Sequence, residues 1–219
     1  MKRSVISSCC LGLVVAGGMF AVPMAAARPE PTKPAAGGAP QMDPKMMEAM
    51  KRMEEHGALN ENHGYLKQFE GEWDCNMKWW MNEGGPAIAN KVTSSAKVGY
   101  DGHFLIEKVQ GNVTMAEGMP PSPFSGMAIM GYDNQKKQFS STWIDNMCGS
   151  VMTQHGSASQ GGKVFTFEGD SYCPMNDKVC HFKSVCTVVD ANTRKMEMWG
   201  PGLDGKVFKS MEIMYTRKK

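Results

Sequence analysis

The sequence is short of the features that usually announce a function. It has no surplus of either charge: once Lys2 and Arg3 are set aside with the leader described below, 22 basic residues face 22 acidic ones. No net field is left to draw nucleic acid or an anionic membrane. Its longest apolar stretch, Cys10 to Val22, is short and broken by Gly17-Gly18, which excludes a spanning helix. Histidines 56, 63, 103, 155 and 181 form no H-x-x-x-H pair, and there is no G-x-S-x-G elbow or phosphate loop. What remains is ordinary: 219 residues, 42% hydrophobic and 21% charged, suit one core and exclude disordered, collagen-like and coiled-coil chains.

The first 27 residues read as a signal peptide. Lys2 and Arg3 form a basic start, Cys10–Val22 an apolar centre, and Ala25-Ala26-Ala27 an A-x-A cleavage site before Arg28. The expectation is an exported protein, periplasmic or extracellular, with no stable membrane insertion after cleavage. Cys9 and Cys10 leave with the leader, so Cys75, Cys148, Cys173, Cys180 and Cys186 remain. An oxidising compartment allows disulfides, and the odd number leaves one thiol over. Cys173-x6-Cys180-His181-x4-Cys186 has zinc-site residue types without the tight C-x2-C knuckle, so no metal is assigned to it. The favoured bond is Cys173–Cys180, with Cys148–Cys173 as the alternative.

Residues 28–43 form a Pro/Gly-rich linker, with prolines at 29, 31, 34 and 40. Asp43-Pro44 then supplies an N-cap and a proline at N1 for an amphipathic helix over 44–56, stopped by Gly57. Its apolar residues are Met46, Met47, Met50 and Met53, on one face. Thioethers bind Cu(I), but methionine is abundant through the whole chain, so the favoured reading is an apolar face that packs on a barrel wall, a membrane or another chain.

From Glu72 the periodicity changes to two. In Trp73–Met81 every odd position is apolar, and the even positions are mostly polar. Nine further strand-like runs follow to Arg217, about ten in all, separated by turns such as Asp133-Asn134, Gly161-Gly162 and Asp204-Gly205, with no helix between them. Without helical crossovers, the expectation is an all-β antiparallel up-and-down barrel over 57–219, closed so that no edge is exposed. Placing Trp73 at the bottom of the first strand puts the long loops at the top and the tight turns below. The last strand then ends at Arg217 beside Trp73.

Gly71-Glu72-Trp73 with a closing Arg217 resembles the lipocalins and their calycin relatives. An ordered set of motifs resembles the bacterial family labelled domain of unknown function 1579. These are His63-x2-Leu66-x4-Gly71-Glu72-Trp73, Gly102-His103-Phe104-Leu105, Phe124-Ser125-Gly126-x4-Gly131-Tyr132-Asp133, Trp143-Ile144-Asp145-Asn146 and Met211-Glu212-x2-Tyr215-Thr216-Arg217, over roughly 61–219. In that family a Gly-Gly-Arg-Phe start is usual where this chain has His103. The resemblance implies a barrel and no established reaction.

Trp73 and Arg217 are expected to stack as a structural closure. Parity turns Trp79, Trp143 and Asp145 inward near the top, and Glu107 is a further interior candidate, so these four are the expected ligand-binding residues. Asp145 reads equally well as a side chain bonding the backbone that follows it. Haem is conceivable through His155 or His181. The reading is an exported calycin-like barrel that binds a small apolar or amphipathic molecule. Its alternatives are an enzyme using Asp145, with Glu107, as acid or base, and an interaction scaffold docking through the Met-rich helix.

Overall fold

The computed structural model describes residues 42–219. The expected signal peptide and residues 28–41 of the expected linker lie outside the described residues. Asp43 caps the first helix, α1 (Pro44–Gly57), by accepting from the Lys45 amide at 2.9 Å. A second short helix, α2 (Glu61–Tyr65), starts on a reciprocal cap in which the Asn60 side chain and the His63 ring satisfy each other's backbone amides. It runs into a 3-10 turn, Leu66–Phe69. No described helix is long and apolar enough to cross a membrane.

The remainder is a sheet of ten strands: β1 (Gly71–Trp79), β2 (Ile88–Gly99), β3 (Phe104–Val113), β4 (Ser122–Asp133) and β5 (Gln138–Asp145), then β6 (Met152–Ser159), β7 (Val164–Cys173), β8 (Lys178–Asp190), β9 (Thr193–Pro201) and β10 (Val207–Arg217). Each pairs antiparallel with its chain neighbours, and β1 pairs with β10 to close the barrel. Trp73 stands opposite Arg217 in that closing ladder. β7 extends to Cys173, past the break at Gly169-Asp170 where alternation fades, so both cysteines of the expected bond lie on strands.

The two ends are built differently. At the bottom, Leu66 and Phe69 of the 3-10 turn are fully buried, inserted against Ala96, Leu105, Met130, Phe139, Phe165 and Phe167. Burying each large side chain in this plug contributes about 1.5–3 kcal/mol. Gly71 makes the entry to β1 fit. Its φ of +121° disfavours any other residue, and a Cβ there would run into the Arg217 guanidinium. The top carries the longer loops, 80–87, 114–121 and 146–151.

None of the residues of α1 is buried. Met46, Met47, Met50 and Met53 are each at least half exposed, so packing of this face on the barrel wall does not occur. The helix is held by its C-terminus. Asn134 donates to the carbonyls of His56 (2.8 Å) and Ala58 (2.6 Å), and both ring nitrogens of His103 face carbonyls, Gly57 O and Tyr100 O, at 2.7 Å.

Only a doubly protonated imidazole donates to both carbonyls. Its bonds to Gly57 and Tyr100 accordingly raise the His103 pKa above 6.5, aided weakly by Asp101. The neighbouring His63, 5.6 Å away, moves the other way, lowered by burial and by His103 itself. A pKa raised on folding contributes stability that is complete below the unfolded value and lost as pH rises through the folded one. The attachment of α1 should therefore loosen above pH 6.5, with amides of 50–57 exchanging faster after correction for intrinsic rates. In His103→Gln that pH dependence should vanish; its persistence would place the switch elsewhere.

Candidate functional site

Above the plug, a polar station crosses the barrel interior. Arg194 begins the inward face of β9, opposite Tyr215 on β10. Its guanidinium meets Glu107 of β3 in two prongs, Nη2 to Oε1 at 2.5 Å and Nη1 to Oε2 at 3.3 Å. Ser94 of β2 donates its hydroxyl to the same carboxylate. The guanidinium carbon lies 3.8 Å from the Tyr215 ring centre, 4.9 Å from Trp73 and 5.2 Å from Phe69. Arg194 and Glu107 are only 5% and 8% exposed. Burial alone would lower the Arg194 pKa, and Glu107 reverses that into a rise. Burial, then Glu107, holds the Tyr215 phenol well above its usual range.

Trp73 links this station to the plug and the closure. Its indole donates to Phe69 O at 3.0 Å, and Arg217 stacks on its ring at 4.2 Å. Arg217 also donates to Ala191 O at 2.8 Å, to Glu70 O and to Gln68 O at 3.4 Å.

Toward the top the wall becomes apolar and sulfur-rich. The ladders turn Met77, Trp79, Met196, Met198, Met211 and Ile213 inward on three adjacent strands. Trp143 faces in from β5, stacked on Phe124 at 6.4 Å and lying over Gly126, where any Cβ would collide with its ring. Met152, Phe182, Met196, Met198, Met211 and Trp143 all point inward yet keep partial exposure, whereas Leu66, Phe69, Phe139, Phe165 and Phe167 of the plug have almost none. The partly exposed set belongs to β5, β6 and β8–β10, whereas Met77, Val92, Val109 and Val113 on the β1–β3 side are buried. Trp79 Nε1 is buried there without a hydrogen-bond partner.

The four expected ligand residues are therefore split. Trp79 and Trp143 line the upper interior. Glu107 lies deeper, with its carboxylate held by Arg194 and Ser94, so it is not a free acid or base. Asp145 is a mouth residue, but Oδ2 accepts from Trp143 Nε1 (2.7 Å) and Oδ1 from the Met147 and Cys148 amides (2.8 Å each). It orients the indole and shapes the turn at once. His155 and His181 project from the outer wall, bonded to Ser140 and Asp170, so neither reaches the interior as a haem ligand. Cys173 and Cys180 carry free thiols, as do Cys75, Cys148 and Cys186. Two shallow depressions, about 350 and 290 Å³, mark the outer wall, one around Trp199 and His181 and one around Met127 and Asn146; neither reaches the Glu107–Arg194 pair.

Arg194 is the residue that sequence reasoning missed. It stands at the turn end of β9, and its shared parity with Met196 and Met198 is the one signal that marks it as inward.

Together these features define a closed ten-stranded antiparallel barrel, plugged at one end and crossed by a buried ion pair. The chain belongs to the DUF1579 family, described as proteins of unknown function, whose model matches residues 59–217. No curated protein matches it. It is similar to a redesigned beta barrel at 16% identity, covering 71% of this chain and 96% of that one with a TM-score of 0.35. It is also similar to a protein of unknown function from the DUF3598 family of Nostoc punctiforme, at 8% identity, covering 73% of this chain and 100% of the other with a TM-score of 0.26. These overlaps are loose, and the fold rests on the strand pairing itself.

Removing one partner of a buried pair leaves an unmatched charge, whereas replacing both by apolar groups need not. Glu107→Leu should destabilise the barrel by about 3–5 kcal/mol in urea unfolding, and Glu107→Leu with Arg194→Met should recover most of that loss. A double variant as unstable as the sum of its parts would show that the pair does not act as a unit.

Proposed function

We propose that this exported barrel binds a small apolar or amphipathic molecule in the upper half of its interior. The observation that carries this reading is a contrast in burial: the large side chains of the plug are sealed, whereas Trp143, Met152, Phe182, Met196, Met198 and Met211 face inward above the Glu107–Arg194 station and stay partly exposed. Thioethers and indoles make an adaptable apolar wall. The unpartnered Trp79 N–H supplies a donor for an acceptor oxygen on the ligand. Small-molecule sites commonly combine an apolar lining with a few placed polar groups.

Binding is favoured over catalysis because Asp145 and Glu107 already spend their oxygens on structural hydrogen bonds. A second reading, a scaffold docking through α1, draws support from the exposed methionine face of that helix.

The test is titration of the full chain with N-phenyl-1-naphthylamine, a neutral apolar probe that brightens when shielded from water. The expected result is saturable binding near one probe per chain. Met198→Trp, which fills the space, should weaken it by roughly tenfold or more while leaving the melting temperature close to wild type. No saturable binding, or binding indifferent to Met198→Trp in a folded variant, would sink the reading.

A further inference from the structure

At the top of the barrel, β7 and β8 bring two thiols together. Their register opposes Ser171 to Cys180 and Cys173 to Lys178, so the cysteines are diagonal neighbours on the inward face. Burial raises the Cys180 pKa, and the Cys173 thiol beside it raises it further. Both are buried, but Met175 and Val179 beside them are 49% and 66% exposed, so a brief opening of the hairpin end uncovers the pair. The other described thiols lack such a partner. Burial pushes Cys75 and Cys186 up to about 12, and the Cys148 sulfur sits 3.0 Å from the Ser150 hydroxyl.

The Cys173 proton has a structural use. Its thiol donates to Asn176 Oδ1 at 3.1 Å, and Asn176 Nδ2 donates to Gly202 O at 3.0 Å. A single thiol hydrogen thus heads a chain of bonds that ties the β7–β8 turn to the loop between β9 and β10.

We propose that Cys173 and Cys180 are a redox site: they form a disulfide by exchange with a small or protein disulfide, and the bond releases the tie between the two mouth loops. One cysteine, as thiolate, attacks the incoming disulfide and expels one of its sulfurs as a thiolate. The second cysteine then attacks the mixed disulfide, forming the Cys173–Cys180 bond and expelling the other. The two cysteines lose two protons and two electrons, and the disulfide partner becomes a pair of thiols. Cys173 then has no hydrogen to give Asn176. This inference stands apart from the ligand-binding reading and survives its failure.

The experiment equilibrates the full chain in stepped mixtures of reduced and oxidised glutathione, quenches with iodoacetamide and maps peptides by mass. Cys173 and Cys180 should lose alkylation together, in one peptide pair 2 Da lighter, while Cys75 and Cys186 react only after denaturation. Amides of 202–206 should exchange several-fold faster in the oxidised form. Cys173→Ser, which keeps a donor for Asn176, should hold that exchange slow under both conditions. Independent alkylation of the two cysteines at every ratio, or a bond to Cys148, would overturn the redox site. Linked cysteines with unchanged exchange at 202–206 would overturn its coupling to the mouth.

Discussion

The structure depends on how one guanidinium is kept charged in the middle of a barrel. A buried cation is costly unless a charge and hydrogen bonds compensate it. Arg194 has both from Glu107, and aromatic faces from Tyr215, Trp73 and Phe69 as well. Desolvated cation–π contacts are worth about 2 kcal/mol or more. Because these partners come from the 3-10 turn, β1, β3 and β10, satisfying Arg194 requires the barrel to be closed and the plug seated. Trp73 then passes the constraint to Arg217, whose carbonyl partners pin the last strand to the turns beneath it.

The result is a vessel with unequal ends. Below the ion pair, bulky rings meet edge to face, and water has no room. Above it, flexible methionines and indoles keep partial exposure, and the mouth loops are joined by side-chain bonds as well as by packing. Rigidity at one end lets the other be adaptable without loss of the fold.

Much of this was legible in the sequence, because a strand with one buried face writes its register into alternate residues. Parity alone put Trp73 beside Arg217 and sorted the loops between the two ends. It failed where the pattern thins. Arg194 is polar, so it did not look like part of an inward row, although Met196 and Met198 continue that row. Asp145 was legible as inward, but no periodicity reveals that its two oxygens are already engaged by Trp143 and by the turn. The partnership of Glu107 with Arg194 joins residues 87 positions apart across the interior, a contact that neither period two nor local spacing encodes. The α1 methionines looked like a packing face, and the structure leaves them in water because the helix is held only by its C-terminal carbonyls.

That exposed face has a chemical consequence. Methionine thioethers are readily oxidised to sulfoxides, which is damaging where they fill a core. At Met46, Met47, Met50 and Met53 the added oxygen would meet solvent, and no packing would be lost. The helix can therefore absorb several oxidation events while the barrel keeps its shape, whereas the same oxygen added to a buried sulfur such as that of Met77 or Met130 would disturb packing.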